Sequence, residues 1–243
     1  ITGSGSGAGH IGGLTGRNKS GLLIACSAAA SVSGANAIGG LTGANYSASV
    51  GNCYAAGSVS GTGNYIGGLT GYNNQSIMTT CYAADLVGET GTRVGGLIGW
   101  NSADSVVTAC FWDTLISNKS NGIGGGSPDG ITGKTTAEMQ TLSTFSQAGW
   151  DFTNETANGT NDIWRMCTNG ISYPKLNWQS MTGDFACPDG VHTEDLDYYT
   201  DHWLMNDCTP DNNFCNGADM DHSGVVDLAD WAIFAENWSR DIE

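Results

Sequence analysis

Short apolar segments alternate with glycine, asparagine and serine through the first half of the chain, and they recur at a fixed interval. The segments read IGGLTGRN, IGGLTGAN, IGGLTGYN and VGGLIGWN, and they begin at Ile11, Ile38, Ile66 and Val94. A second block follows in step, with one cysteine in each copy. A spacing of 27 or 28 residues is typical of repeat architectures, in which each repeat is a structural unit that stacks on the next.

Each repeat offers two short β-type stretches joined by turn residues, which is too little for an independent core. In stacked coils, equivalent residues lie about 4.8 Å apart. The pattern therefore predicts a parallel β-solenoid, or β-helix, of about four coils over residues 1–130. Its apolar columns should face inward, and an asparagine column should form a side-chain amide ladder. The predicted columns are Leu14, Leu41, Leu69, Leu97; Cys26, Cys53, Cys81, Cys110; Val32, Val59, Val87; and Asn18, Asn45, Asn73, Asn101.

Two of these columns have a second interpretation. Four cysteines invite a metal or redox site, but their spacing is the repeat length rather than that of a chelating CxxC, and no histidine recurs with them, so we favour a buried apolar column. Several asparagines open N-x-S/T sequons, which makes glycosylation the alternative to turn and ladder roles. These sequons begin at Asn18, Asn45, Asn74, Asn118, Asn154, Asn158 and Asn237.

The G-G-L-x-G core of the four segments resembles the bacterial GLUG repeat family, over roughly residues 9–115. The resemblance implies a β-solenoid in a secreted or cell-surface protein. It implies no particular chemistry, because the family motif is structural.

Residues 131–182 read as a small α+β capping segment rich in aromatic residues. Thr135 and Glu138 form a T-x-x-E capping box ahead of Met139, Leu142 and Phe145, which predicts one short amphipathic helix. Six large apolar residues follow, at Trp150, Phe152, Trp164, Tyr173, Leu176 and Trp178. Exposed aromatics can bind sugars, but we favour a cap, because a solenoid end has unpaired strand edges that need cover.

The strongest chemical signal is a calcium-type loop between Asp219 and Asp230. The loop matches what a hard cation requires. Oxygen-bearing residues stand at loop positions 1, 3, 5, 9 and 12, a backbone carbonyl at position 7 and Gly224 at position 6. Trp231, Phe234, Ala235 and Trp238 then mark the apolar stripe of a short helix. The predicted Ca2+ ligands are Asp219, Asp221, Ser223, Val225 (carbonyl), Asp227 and Asp230.

The same plan recurs 35 residues earlier in a degraded form. Asp184 and Asp195 match the first and last ligands, and Leu196, Tyr199 and Trp203 match the helical stripe. Alanine, proline and histidine replace three ligands, and Asp189 is a candidate for partial compensation. We therefore predict a second, weaker calcium site at Asp184, Asp189 and Asp195.

Two loop–helix units without a preceding helix resemble a dockerin of type I character over residues 183–240. The resemblance implies a small α-helical module, here residues 183–243, that is folded by Ca2+ and docks into a cohesin-like protein. In that family loop positions 10 and 11 help to recognise the partner. They are Thr193 and Glu194 in the first half but Leu228 and Ala229 in the second. The second face is therefore the expected contact surface. Its partner is a cohesin-like protein, the chain's own solenoid or another copy of the chain.

Charge and cysteine usage bear on partners and location. The net charge of −16 is concentrated in residues 183–243, which hold fifteen acidic side chains against one base. That surface disfavours nucleic acid and anionic lipid, and no apolar run approaches the roughly 20 residues of a membrane span. Cysteines crowded into the acidic module indicate an oxidising, extracellular setting. We favour a Cys208–Cys215 disulfide, leaving Cys167 and Cys187 to pair with each other or between molecules.

The sequence offers little for catalysis. The few acids of the repeats do not recur at positions that would pair carboxylates on one face, and no nucleophile, metalloprotease or nucleotide motif is present. We expect a non-enzyme. One class of function is a structural or adhesive protein of the cell exterior that self-assembles into filaments. The other is an accessory region of a larger secreted enzyme, tethered to a cohesin-like partner; a start at Ile1 fits a removed signal peptide as well as a fragment.

Overall fold

A computed structural model gives the fold. It divides the chain into two compact units, Ile1–Trp150 and Asp151–Glu243, which are described separately. The boundary falls after Trp150, inside the segment 131–182 that the sequence marks as a cap. The residues that the structure describes are 9–88, 90–153, 157–167, 169–179, 182–185 and 191–238.

The first unit is a parallel β-solenoid of about four turns, as predicted. Its short strands align from coil to coil into five parallel sheets, numbered in the order in which each coil visits them. Sheet 1 contains Ile11–Gly12, Ile38–Gly39, Asn64–Gly67 and Thr92–Gly95; sheet 2 contains Thr15–Lys19, Thr42–Tyr46, Thr70–Asn74 and Ile98–Asn101. Sheet 3 contains Leu22–Ile24, Ser49–Gly51, Ile77–Thr79 and Val106–Thr108; sheet 4 contains Ser27–Ala28, Tyr54–Ala55, Tyr82–Ala83, Cys110–Asp113 and Ile131–Lys134; sheet 5 contains Ser31–Gly34, Ser58–Gly61 and Leu86–Val87.

The expectation of two β stretches per repeat is wrong, because the coils are cut into more and shorter strands. The corners between strands are often non-glycine residues in the left-handed region, such as Ser20, Asn52 and Gln75. A residue in this region turns the backbone away from the extended β conformation. At the Gly-Gly-Leu turn the coils approach very closely: a Cβ on Gly40 would collide with the carbonyl oxygen of Gly68, which explains the paired glycines.

The predicted apolar columns lie inside the coil. Leu41, Leu69 and Leu97 are fully buried, as are the valines of sheet 5. Leu14 is the exception at 47% exposure, because the first-coil strands form the outer edge of every sheet. In the leucine column the core therefore starts with the second coil.

The asparagine ladder is present across the inner coils. Asn45 Nδ2 donates to Asn73 Oδ1 at 3.4 Å, Asn73 Nδ2 to Asn101 Oδ1 at 2.9 Å, and Asn101 Nδ2 to the carbonyl of Ser127 at 3.0 Å. Asn18 is in register with Asn45, but the amide nitrogen of Asn18 and Oδ1 of Asn45 make no hydrogen bond. Since Asn45 is fully buried, its side chain is a ladder element and cannot carry a glycan in the folded coil.

The cysteine column is buried and its four thiols are not oxidised to disulfides. Cys53, Cys81 and Cys110 have no exposed surface, whereas Cys26 in the edge coil is partly exposed. Each thiol donates to the carbonyl two residues earlier, as in the 3.0 Å contact from Cys81 to Thr79. Burial raises the pKa of Cys81 well above its usual value.

Thiol labelling tests this placement. A bulky maleimide at pH 7.5 should modify Cys26 first and leave Cys81 and Cys110 unmodified until the chain unfolds, because the reagent cannot reach a fully buried thiol. Peptide mass spectrometry of partly labelled protein gives the order. Labelling of all four thiols at similar rates in native protein would contradict the stacked column.

The far end of the solenoid is covered by chain from the same unit. Residues 121–134 add a partial coil, and two short helices follow, α1 (Thr136–Met139) and α2 (Leu142–Ser146). The Thr135–Glu138 capping box is present, but the single predicted helix is two, because the first ends at Gln140. Phe145 and Trp150 pack on Phe111, and the indole nitrogen of Trp150 donates to the carbonyl of Ala109 at 3.0 Å.

Within its described residues, the second unit has one pair of strands and three α-helices. Trp164–Arg165 pairs antiparallel with Lys175–Leu176, and Phe152, Trp164 and Leu176 are buried. The helices are α3 (Thr193–Asp201), α4 (Asn213–Asn216, kinked at Phe214 and Cys215) and α5 (Leu228–Asn237); Asn177–Gln179 and Pro210–Asn212 are 3-10 turns. Nowhere in the described chain does a helix reach the length and apolar character needed to cross a bilayer.

Candidate metal centre

Three of the predicted ligands converge at the loop before α5. Ligand oxygens of Asp219, Asp221 and Asp230 all lie within 4.8 Å of one another. Asp219 and Asp230 are fully buried, and Asp221 is exposed. Bringing three carboxylates this close costs electrostatic energy in low-dielectric surroundings unless a cation offsets it.

Backbone amides hold the carboxylates in place. Asp219 accepts from the amides of Ser223 and Gly224, both at 2.9 Å. Asp230 Oδ1 accepts from Met220 at 2.6 Å and Asp221 at 3.1 Å, while its Oδ2 accepts from Asp227 at 2.9 Å. Gly224 has a φ of +97°, a conformation that glycine adopts without strain, and this closes the turn at loop position 6 as the sequence requires.

Calcium fits this donor set. Ca2+ takes oxygen ligands at 2.3–2.6 Å in a flexible shell, so oxygens on opposite sides of the ion stand roughly 5 Å apart, close to the 4.8 Å limit observed. The set contains only hard oxygen donors and no thiol or imidazole, which disfavours zinc and copper. Hydrogen bonding by Ser223 lowers the pKa of Asp221, which keeps this carboxylate ionised for a cation.

The other predicted ligands have different local roles. Asp227 lies outside the converging group and caps α5, with its Oδ1 accepting from the amide of Ala229 at 2.7 Å. Loop position 9 commonly reaches calcium through water, so the cap does not conflict with the prediction. Ser223 Oγ donates to the carbonyl of Val225 at 3.2 Å, which places loop positions 5 and 7 side by side.

The first loop repeats the hydrogen bonding of the second at a 35-residue offset. Asp195 Oδ1 accepts from Phe185 at 2.6 Å and its Oδ2 from His192 at 2.9 Å, as Asp230 does with Met220 and Asp227. Asp184 and Asp195 are both buried. Asp189 lies outside the described residues, so calcium at this loop stays a prediction.

Sequence reasoning missed Arg165. Its guanidinium donates to the carbonyls of Asp184, at 3.3 Å, and Phe185. It thus brings a positive charge to the degraded loop from a strand twenty residues away. The only feature of the sequence that could have pointed to Arg165 is that basic residues are rare in the second half of the chain.

The two loop–helix halves share one small core, formed by residues such as Val191, Tyr199, Val226 and Phe234. Cys208 and Cys215 belong to this core and form a disulfide, as favoured from the sequence. Cys167 is also disulfide-bonded; Cys187 lies outside the described residues.

An apolar face remains open next to the calcium-type loop. Leu228, at loop position 10, is 72% exposed, and Trp203, Trp231 and Trp238 are each more than a third exposed. A groove of about 380 Å³ runs between Trp203, Leu228 and Trp231, and a second of about 250 Å³ lies between Trp231 and Trp238. Phe234 is the one large residue of the predicted stripe on α5 that is fully buried.

Fold and site together define a parallel β-solenoid protein with an acidic, cation-type loop in a separate second unit. Comparison of the chain with protein-family models, with curated proteins and with solved structures finds no match.

Proposed function

We propose that the protein is a non-catalytic structural or adhesive protein of the cell exterior, whose second unit carries a calcium-stabilised, dockerin-like module. The GLUG-like repeats supply a rigid solenoid. The observation that carries the proposal is the convergence of Asp219, Asp221 and Asp230 beside an exposed apolar face. In a soluble monomer such a face is unusual unless it meets a partner.

The partner that we favour is another copy of the chain, giving a calcium-dependent homopolymer or filament. Leu228 and the three partly exposed tryptophans are the kind of anchors that dominate protein interfaces. The first solenoid coil adds a second adhesive surface, because its strands are the edges of all five sheets and Leu22 and Ile24 are exposed there.

A cohesin-like protein is the alternative partner, in which case the chain is an accessory region of a larger secreted enzyme. The exposure of Leu228 favours this alternative too, since loop position 10 is a partner contact in the family that the module resembles. The mass of the native secreted protein separates the two functions: a mature species of the chain's own 25.2 kDa favours the structural role, and a much larger one favours the accessory role.

Sedimentation velocity tests self-assembly. In millimolar calcium we expect concentration-dependent assemblies that revert to monomer in EDTA. Leu228→Asp should abolish them, because a carboxylate in an apolar contact loses hydration without gaining a partner.

Thr193→Asp is the matched control, because Thr193 holds loop position 10 in the first half of the module and is also exposed. It adds the same charge to the other face and should leave assembly unchanged. Monomers at every concentration in calcium would contradict the homopolymer.

A further inference from the structure

A groove of about 460 Å³ opens on the outer surface of the solenoid. Its size is that of a small-ligand site. The rings around it form a continuous series: His10 contacts Tyr46 at 5.8 Å between centroids, Tyr46 contacts Tyr72 at 5.5 Å, and Tyr72 contacts Tyr65 at 5.0 Å. The lining residues are His10, Asn36, Ala37, Tyr46, Tyr65 and Tyr72.

The stacking register explains why a groove forms here. The residue before each Ile/Val-Gly-Gly-Leu block gives the column His10, Ala37, Tyr65, Arg93, and sheet 2 adds the column Arg17, Ala44, Tyr72, Trp100. The second coil has alanine in both columns where its neighbours have large side chains. The second coil therefore leaves a depression between two coils that carry larger side chains.

Tyr65 and Arg93 occupy their corner with φ values of +66° and +57°. The equivalent residue of the second coil, Ala37, has a φ of +49°, so the coils share this left-handed corner and differ in the side chain that it carries.

The groove has positively charged ends. The Arg93 guanidinium lies 4.6 Å from the Trp100 ring centroid and donates to the Tyr65 hydroxyl at 2.6 Å. At the other end, Arg17 of the first coil is in register with Ala44 of the second; burial, and then the charge of Arg17, lower the pKa of His10. Neither Arg17 nor Arg93 forms a salt bridge with a described residue, so neither positive charge is neutralised by a neighbouring carboxylate there.

We propose that this groove binds an acidic polysaccharide, a chain of pyranose rings bearing carboxylates. The C–H face of a pyranose packs on an aromatic ring whose π face is electron-rich. Arg17 and Arg93 belong to the first and fourth coils, so three strand spacings, roughly 14 Å, separate them along the axis. That span accommodates several sugar rings with a carboxylate near each guanidinium. The same two charges repel a cationic ligand, which would otherwise suit a cage of tyrosines.

Isothermal titration calorimetry of the full chain with a galacturonic acid hexamer tests the proposal. EDTA in the buffer prevents calcium from bridging the hexamer to the acidic loops. The hexamer should bind, and its fully methyl-esterified counterpart should bind at least about tenfold more weakly, because the charge-assisted bonds to arginine are lost. Equal affinity for acid and ester, or binding of choline in their place, would overturn the proposal.

Two variants locate the site. Ala37→Tyr places in the second coil the residue that the third coil already has at this register position, so it should fill the groove and remove binding while the solenoid stays folded. Tyr72→Ala should weaken binding by about tenfold through loss of a stacking face. Val106→Ala changes an exposed residue of sheet 3 and should bind like the native chain; unchanged binding by Ala37→Tyr would exclude this groove.

Discussion

Replacing Asp230 with asparagine is expected to abolish the calcium-dependent rise in the melting temperature of the second unit. At a free calcium concentration about one hundred times Kd, binding stabilises the native state by about 2.7 kcal/mol. The variant should also lose about 1–3 kcal/mol without calcium, because an amide group replaces a buried carboxylate that accepts from Met220, Asp221 and Asp227. Calorimetry in calcium and in EDTA measures both effects.

Two further variants keep this test decisive if Asp230→Asn does not fold. Asp221→Asn removes an exposed member of the same oxygen cluster, so it should reduce the calcium response with little change in EDTA. Asp197→Asn removes an exposed carboxylate from α3 and should keep the full response. Equal calcium shifts in Asp221→Asn and Asp197→Asn would mean that the loop does not bind the ion.

Neutralising Asp85 is expected to stabilise the solenoid at neutral pH. Its carboxylate is almost completely buried, and neither oxygen has a hydrogen-bond partner among the described residues. Burial raises its pKa well above the usual value, so the native state holds a proton that the unfolded chain releases. Stability is therefore greatest below the unfolded pKa and falls by about 1.4 kcal/mol per pH unit as pH rises toward the native pKa.

The measurement is the difference in free energy of unfolding between Asp85→Asn and the native chain as a function of pH. The variant should gain several kcal/mol at neutral pH, and the gain should shrink as pH falls. Asp85→Ala provides a second test, because the first coil has alanine at this position, Ala30. Asp104→Asn, at an exposed site of the same unit, should show no such trend; a pH-independent difference for Asp85→Asn would contradict the buried, protonated state.

The solenoid could be predicted from the sequence because its columns repeat the same residue types at a fixed spacing. Leucine, cysteine and asparagine mark the inward positions from the second coil to the fourth. The strand boundaries could not be predicted, since left-handed corners also fall at residues such as Ala25 and Thr80, which are not typical turn residues. The aromatic groove was missed for a related reason: its columns change residue in each coil, and only the contrast between Ala37 and Tyr65 reveals it.

The candidate metal loop was also readable from the sequence, since ligand spacing alone brings Asp219, Asp221 and Asp230 to one point. The exposed state of Trp231 and Trp238 was not, because an amphipathic stripe looks the same whether it meets the protein's own core or a partner. Likewise, the contacts of Arg165 depend on how a distant strand is placed. Local sequence patterns therefore predicted the solenoid coil and the metal loop. Which side chains are exposed, and which distant elements contact each other, could be seen only in the structure.

The most direct measurement is an amide NMR titration of the full chain with calcium. If the ion binds at the second loop, the largest and saturable chemical-shift changes should belong to residues 219–230, including the Ser223 and Gly224 amides that contact Asp219. The chemical shifts of the solenoid amides should not change. Absence of saturable shifts in that loop at millimolar calcium, or small shifts spread evenly over the acidic residues, would contradict the account.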